Sequence, residues 1–177
     1  DTISGGKGND LIFGDSVNTD TLGGLAHLSI AAGGGWQVFA ALEAGSGTGS
    51  WTDSANVVHQ YADWSRSDTL AYIQSHVDEL ATESGRNLGN DILDGGDGND
   101  RIFGQEGSDT ISGGIGNDIL TGGTGADSFV WAKADMDKGT DTVTDFRQAE
   151  GDKLVLTDVL DGGKTPIDAA DYISVGV

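Results

Sequence analysis

A nine-residue unit recurs along this chain with one large apolar residue per copy, and that spacing leaves few folds open. From Gly95 the sequence runs GGDGNDRIF, GQEGSDTIS, GGIGNDILT and GGTGADSFV; RNLGNDILD precedes it, and GGKGNDLIF lies far upstream. Every complete copy has Gly at its fourth position (Gly8, Gly89, Gly98, Gly107, Gly116, Gly125) and Asp at its sixth (Asp10, Asp91, Asp100, Asp109, Asp118, Asp127). The eighth position is apolar: Ile12, Leu93, Ile102, Ile111, Leu120 and Phe129. Asp1 and Ile3 fit a truncated first copy. Glycine permits the positive φ of a tight loop and lets carbonyls turn inward. A single apolar residue on a very short strand can point only into a core shared by stacked copies. A flexible Gly/Asp-rich linker has no use for an apolar residue every nine positions.

Aspartate supplies a hard, negative oxygen of the kind Ca²⁺ takes. The pattern G-G-x-G-x-D-x-U-x therefore reads as a parallel β-roll that binds calcium. Over about a third of its length the chain resembles the RTX (repeats-in-toxin) proteins. Two nonapeptides make one turn, so loops alternate between two edges and an ion is expected between Asp residues two copies apart. That pairs Asp100 with Asp118, Asp109 with Asp127, and Asp91 with Asp109. Gly14-Asp15 opens a loop and Gly89-Asn90-Asp91 closes one, so residues 16–88 read as one swollen loop. Asp10 then stacks under Asp100, and Asp1 or Asp15 under Asp91. About four to six ions are expected, with oxygen ligands throughout. The remaining ligands would be loop carbonyls, unranked by sequence. The candidates are Gly5, Lys7 and Asn9; Gly95, Asp97 and Asn99; Gly104, Glu106 and Ser108; Gly113, Ile115 and Asn117; and Gly122, Thr124 and Ala126.

Composition agrees with such loops. The chain has 24 Asp but 5 Glu, against 9 Lys and Arg, for a net charge of −20. A generic acidic solubiliser would mix Glu in freely. Without cations the stacked carboxylates repel, so folding is expected to be coupled to calcium. The acidity argues against nucleic acid or an anionic membrane surface as partner. Cys is absent, which removes disulfides and thiolate metal sites. No apolar run is long enough to span a membrane, and no signal-peptide pattern is read at the start. The start falls mid-repeat, so a segment of a longer protein is expected.

The stretch 22–85 loses the period and gains aromatic and aliphatic residues. Leu70, Ile73, Val77 and Leu80 recur at helical spacing, with Ser67 or Asp68 as cap. A second helix is expected over 54–64, with Val57, Val58, Tyr61 and Trp64 facing inward, and a shorter one holding Trp36, Phe39 and Leu42. Trp36, Trp51, Tyr61 and Trp64 read as the core of a small helical unit, with a sugar- or peptide-binding surface as the rival. His27, His59 and His76 lack ligand spacing and read as structural or surface residues. There is no H-E-x-x-H and no G-x-S-x-G, the centre of GSGTG being Gly47, so catalysis is not expected.

After Val130 come short apolar or alternating runs, Phe129-Val-Trp, Thr142-Val-Thr-Asp-Phe and Lys153-Leu-Val-Leu, that read as strands. Asp135–Asp141 imitates an EF-hand start but has Gly139 at the fifth position and lacks the Gly at the sixth and the Glu at the twelfth. It reads as an acidic turn, with an additional ion expected near Asp141 and Asp145, Asp145 the better candidate, and with Phe146 a core anchor for a cap. GADSFVW…DTVTDF…EGDKLVL resembles the segment after the repeats in proteins exported by type I secretion. It is most similar to the C-terminal region of giant RTX adhesins, in which a helical insertion also interrupts the roll. That resemblance implies a position near a C-terminal secretion signal and folding outside the cell. The chain stops after Asp171-Tyr-Ile-Ser where the family usually continues, so the last part of the export signal is expected to be missing.

The expected fold is mainly β: a calcium-binding parallel β-roll (an RTX solenoid) interrupted by a small α-helical insertion and closed by a C-terminal β cap. The expected divisions are 1–21, the first part of the roll; 22–85, the insertion; 86–130, the main roll; and 131–177, the capping region before the secretion signal. The expected function is a secreted, extracellular folding module of an adhesin. It would be unfolded for export, folded by external Ca²⁺, and would support cell-surface adhesion or biofilm formation. Its partners would be calcium, the type I machinery and a cell-surface ligand of the full protein. A ligand-binding module acting through the insertion, and the non-catalytic tail of a secreted RTX enzyme or toxin, stay open.

Overall fold

The structure, a computed structural model, describes residues 1–30, 34–52, 55–82, 89–135 and 139–157. The chain divides into two compact units, Asp1–Asp15 with Asn87–Val177, and Ser16–Arg86. Strands β1 (Thr2–Lys7) and β2 (Leu11–Phe13) precede the second unit, which holds β3 (Ser50–Thr52) and β4 (Val58–Gln60). After it come β5 (Ile92–Asp97), β6 (Arg101–Glu106), β7 (Thr110–Ile115), β8 (Ile119–Thr124), β9 (Ser128–Ala132), β10 (Thr142–Val143) and β11 (Lys153–Thr157). Among the described residues no helix is long and apolar enough to cross a membrane.

The first unit consists of two parallel sheets. One has the order β1-β5-β7-β9-β11, the other β10-β8-β6-β2. Successive repeat strands alternate between them, because each nonapeptide supplies one strand and one tight turn. Within a sheet, equivalent positions pair: Leu93 with Ile111, and Ile102 with Leu120. Across the second unit the same pairing continues, Ile3 with Leu93 and Ile12 with Ile102. Equivalent aspartates there are separated by 90 residues instead of 18, with no slip of register. A slip of one residue would turn every apolar side chain outward.

The core between the sheets is the apolar column itself. Ile12, Leu93, Ile102, Ile111, Leu120 and Phe129 form one buried cluster, with Ile3, Trp131 and Val143 packed against it. Fully burying such a side chain is worth about 1.5–3 kcal/mol. Where a turn lies beneath, at Gly98, Gly107, Gly116 and Gly125, the fourth-position glycine is obligatory for a steric reason. Gly107 has φ of 132°, and a Cβ there would stand 1.5 Å from the Gly89 carbonyl oxygen of the turn below.

The runs after Val130 form β9, β10 and β11. β11 pairs with β9, and β10 with β8, so both sheets are extended. Phe146 is not the core anchor expected of it: it stays 43% exposed and meets Phe129 only by a tilted ring contact. β10 ends at Val143, and the following residues turn to bring Asp145 over the amides of Gly122 and Gly123. The expectations for residues 158–177, including the export signal, lie outside the described residues, as do Arg86–Leu88 of the RNLGNDILD copy and positions 136–138 of the EF-hand-like run.

The second unit contains α1 (Asp20–Leu25), α2 (Trp36–Glu43), α3 (Arg66–Ser75) and α4 (Val77–Leu80). The helix expected over 54–64 is not there. Val58–Gln60 is a strand, paired antiparallel with Ser50–Thr52, and Tyr61–Asp63 is a single 3₁₀ turn. The pairing places His59 opposite Trp51, where the rings stack at 4.5 Å. Val57 and Val58, expected inside, are exposed, whereas Tyr61 and Trp64 are buried. α3 is capped by Ser65, not Ser67, through a capping box with Asp68. The helix breaks at His76, so Leu70 falls outside and Thr69 and Tyr72 form the buried face. α2 buries Phe39 and Leu42 but leaves Trp36 about half exposed. Trp51, Tyr61, Trp64 and Tyr72 pack ring against ring as this unit's core. His76 stacks on Tyr72 at 3.8 Å, and His59 pairs with Asp68 at 2.5 Å.

Candidate metal centre

The GGxGxD turns stack into two edges, and their aspartates form two ladders. On one edge the amide of Asp10 donates to Asp100 Oδ1 (2.7 Å), that of Asp100 to Asp118 Oδ1 (2.8 Å), and that of Asp118 to Asp141 Oδ1 (3.1 Å). On the other, the terminal ammonium of Asp1 pairs with Asp91 Oδ1, and the amide of Asp91 donates to Asp109 (2.8 Å), that of Asp109 to Asp127 (2.9 Å), and that of Asp127 to Asp152 (3.1 Å). The structure thus brings Asp100 to Asp118, Asp109 to Asp127, Asp91 to Asp109 and Asp10 to Asp100. Asp1, not Asp15, is the residue under Asp91. Asp15 instead accepts the Glu106 amide at 3.2 Å.

The second carboxylate oxygen of each repeat aspartate has a different fate. Oδ2 of Asp10, Asp91, Asp100, Asp109, Asp118 and Asp127 is buried and has no hydrogen-bond partner. Asp91, Asp100, Asp109, Asp118 and Asp127 are at most 2% exposed. An ionised carboxylate so buried is costly unless something positive meets it. Burial, together with neighbouring carboxylates, pushes Asp109 up to about 7, from an ordinary 3.8. The same cause lifts Asp118 and Asp15 to about 6 and raises Asp100 and Asp127.

The space beside each bare oxygen is a cradle that a methyl group would fill. A Cβ built on Gly95 would lie 2.3 Å from Asp100 Oδ2 and 2.4 Å from the Gly113 carbonyl oxygen. On Gly104 the distances are 2.3 Å to Asp109 Oδ2 and 2.5 Å to the Gly122 carbonyl, and on Gly5 2.6 Å to Asp10 Oδ2 and 2.7 Å to the Gly95 carbonyl. On Gly113 and Gly122 the Cβ would meet Asp118 Oδ2 and Asp127 Oδ2, each at 2.3 Å. Ca²⁺ takes carboxylate and carbonyl oxygens as ligands, and the cradles at Gly5, Gly95 and Gly104 offer both, so the donor type fits that ion. Among the described residues no three or more His, Cys, Asp or Glu side chains converge as a metal group. An ion here would draw most of its ligands from the backbone.

The carbonyl candidates separate by position. Those at the first position (Gly95, Gly104, Gly113, Gly122) border cradles. The third-position carbonyls of Asp97, Ile115 and Thr124 accept the amides of Gly8, Gly98 and Gly107 at 2.8–3.0 Å. At the fifth position, Asn9 Oδ1 accepts the Asn99 amide, Asn99 Oδ1 the Asn117 amide, and Ser108 Oγ the Ala126 amide, so these side chains form a ladder of their own. Asp145 holds the Gly122 and Gly123 amides at 2.8 and 2.7 Å, and its charge contributes to raising the neighbouring Asp127 carboxyl.

Asp141, read from sequence only as a neighbour of an additional ion, and Asp152, which the sequence did not single out, end the ladders. Their Oδ2 atoms differ from those of the repeats in having protein donors, Trp131 Nε1 and the Arg147 amide, each at 2.6 Å. The signal was legible: Gly139-Thr-Asp141-Thr-Val143 is the second half of the nonapeptide, G-x-D-x-U, without its first three residues.

Stacked turns of this kind, with oxygen-only cradles between them, define a calcium-binding repeat module. The RTX calcium-binding nonapeptide repeat (4 copies) matches residues 1–18, 87–111 and 94–129. No curated protein and no solved structure matches the chain. The match supports an RTX protein, whose repeats bind calcium, imply a β-roll, are not themselves catalytic and are typical of secreted proteins.

Proposed function

We propose that this chain is a calcium-driven folding module from the C-terminal end of a secreted bacterial adhesin. It is held loose where calcium is scarce and ordered by extracellular calcium after type I export. The observation that carries the reading is the row of six repeat aspartates, each with a buried Oδ2 that no donor meets, five of them paired in the ladder through Oδ1. Without cations these carboxylates oppose stacking; with an ion in each cradle they hold adjacent turns together. Asp10, Asp91, Asp100 and Asp109 would bind with the first-position carbonyls of the next turn, and Asp118 and Asp127 would serve two further cradles. The two sheets would thereby close into a roll over residues 1–15 and 89–157. The adhesin context, with a role in surface attachment or biofilm, rests on the resemblance of the strands after Val130 and of the interrupted roll. Sites of extracellular modules work at about 10⁻⁴ to 10⁻³ M calcium.

A sugar- or protein-binding surface built from the insertion's aromatics lacks the clustered patch it needs, since Trp51, Tyr61 and Trp64 are buried and of the four only Trp36 is exposed. The test is far-UV circular dichroism of EDTA-treated protein titrated with calcium, with magnesium as control. A cooperative gain of β structure with calcium alone is expected. A chain whose repeats are already folded in EDTA would make the ions incidental and sink the switch.

A further inference from the structure

We infer that the turn interrupted by the insertion is a complete calcium cradle, assembled from residues at its two ends, so that one ion staples Gly14 to Asp91. The inference rests on the calcium reading of the unbroken cradles.

The copy containing Asp91 reads RNLGNDILD and has no glycine at its first position. Gly14 takes that place from the far side of the insertion. A Cβ on Gly14 would lie 2.7 Å from Asp91 Oδ2 and 2.6 Å from the Gly104 carbonyl oxygen, nearly the values at Gly5. Asp91 is 2% exposed, and its Oδ2 is bare like those of the unbroken turns. The later positions of the turn are also in place. Gly89 has φ of 138°, Asn90 Oδ1 accepts the Ser108 amide at 2.8 Å, and the Asp91 amide reaches Asp109 Oδ1. A nonapeptide turn has thus been cut after its second residue without losing its cradle.

What changes is the pairing at the cut. β2 stops at Phe13, and two side chains take over from the backbone ladder. Gln105 Oε1 accepts the Asp15 amide at 3.1 Å, and Asp15 Oδ2 accepts the Glu106 amide at 3.2 Å. Gln105 occupies the second position, where Gly96, Gly114 and Gly123 stand in the neighbouring copies, and it adopts their left-handed backbone with φ of 76°. A glutamine held in that conformation directly above Asp15 marks this turn as a fitted joint. The clamp needs no ion. The cradle beside it, where Asp91 Oδ2 is buried with no donor, is where an ion would sit. Calcium there would close the longest loop in the chain, whose closure entropy is the largest any cradle must offset.

The experiment measures calcium stoichiometry by titration calorimetry, and amide exchange at saturating calcium, on the full chain. Asp91→Asn keeps the Oδ1 acceptor but removes the charge. Gly14→Ala removes no carboxylate and puts a methyl group into the cradle against Asp91 Oδ2 and the Gly104 carbonyl, at a residue whose φ is not left-handed. Each is expected to bind one ion fewer than the wild type. At calcium about ten times the dissociation constant, the Asp15 and Glu106 amides should exchange about tenfold faster, because the linkage protecting them is gone. Asp100→Asn, in an unbroken turn, should also lose one ion but leave those two amides at the wild-type rate. Unchanged stoichiometry in both Gly14→Ala and Asp91→Asn would overturn the inference while leaving the other cradles intact. A wild-type chain that takes up no calcium would instead remove the calcium reading, and the inference with it.

Discussion

A carboxylate with one oxygen in a ladder and the other buried bare is the chemical unit of this protein, and a proton would compete for it with any calcium ion. Burial and the neighbouring Asp127, Asp91 and Asp15 place the Asp109 carboxyl at about 7; Asp118 and Asp15 stand at about 6. These values lie above the ordinary 3.8, so the calcium-free fold favours the protonated form. The stability this confers is full below about pH 4 and is lost as pH rises through about 6 to 7. In EDTA the repeats should therefore gain β structure when pH is lowered from about 8 to about 5, a proton standing in for an ion. Calcium affinity should fall over the same range, since the ligands must be ionised to bind. Far-UV circular dichroism with and without EDTA reads both trends. A calcium-free chain equally disordered at both ends of that range would show that carboxylate desolvation is not what keeps it loose.

A repeat strand presents adjacent apolar residues to opposite faces, and only one of them matters to the core. Leu120 is fully buried, whereas Ile119 beside it is 42% exposed. Leu120→Ala should cost about 2–5 kcal/mol, and Ile119→Ala within about 0.5 kcal/mol. Denaturant midpoints in saturating calcium would measure both, and equal losses would mean that the apolar column is not the core. The column was legible from sequence because repetition does the averaging: six copies agree on one position, and the sheets have nowhere else to point it. The ladder partners of Asp100 and Asp109 followed from the same period. The insertion has no such redundancy. Val57, Val58, Tyr61 and Trp64 fit a helical face as well as they fit a strand and a turn, and what decides is Trp51 stacking on His59 across the hairpin, a contact invisible locally. The Ser65 cap was in the sequence as S-x-x-D, but the spacing of Leu70 and Ile73 outweighed it. Gln105 and Asp15 could be understood only once the backbone showed which turn had been cut.

At the scale of the whole molecule the two units are built on opposite principles, and that separates their dependence on calcium. Ser16–Arg86 contains eight acidic and two basic residues, and the rest of the chain 21 acidic and seven basic. The second unit has an ordinary apolar core of Leu22, Val38, Phe39, Leu42, Trp51, Tyr61, Trp64, Tyr72 and Leu80. Its helix α3 is capped by its own residues, and its Thr69 hydroxyl is held between Trp64 Nε1 and Glu43. Nothing in that list needs a cation. The first unit buries one apolar side chain per nonapeptide and sets a bare carboxylate beside each, so its core alone must outweigh the desolvation of the ladder. Chelation should therefore melt the repeats and spare the insertion. Three of the four tryptophans, Trp36, Trp51 and Trp64, lie in the second unit, so a Trp131→Phe chain reports on it alone. In EDTA that chain should keep its near-UV tryptophan signal and the blue-shifted emission of buried indoles while its far-UV β signal is lost. Calcium should then restore the β signal with little change in the tryptophan bands. Loss of both signals together, at one calcium concentration, would mean instead that the insertion folds only with the repeats.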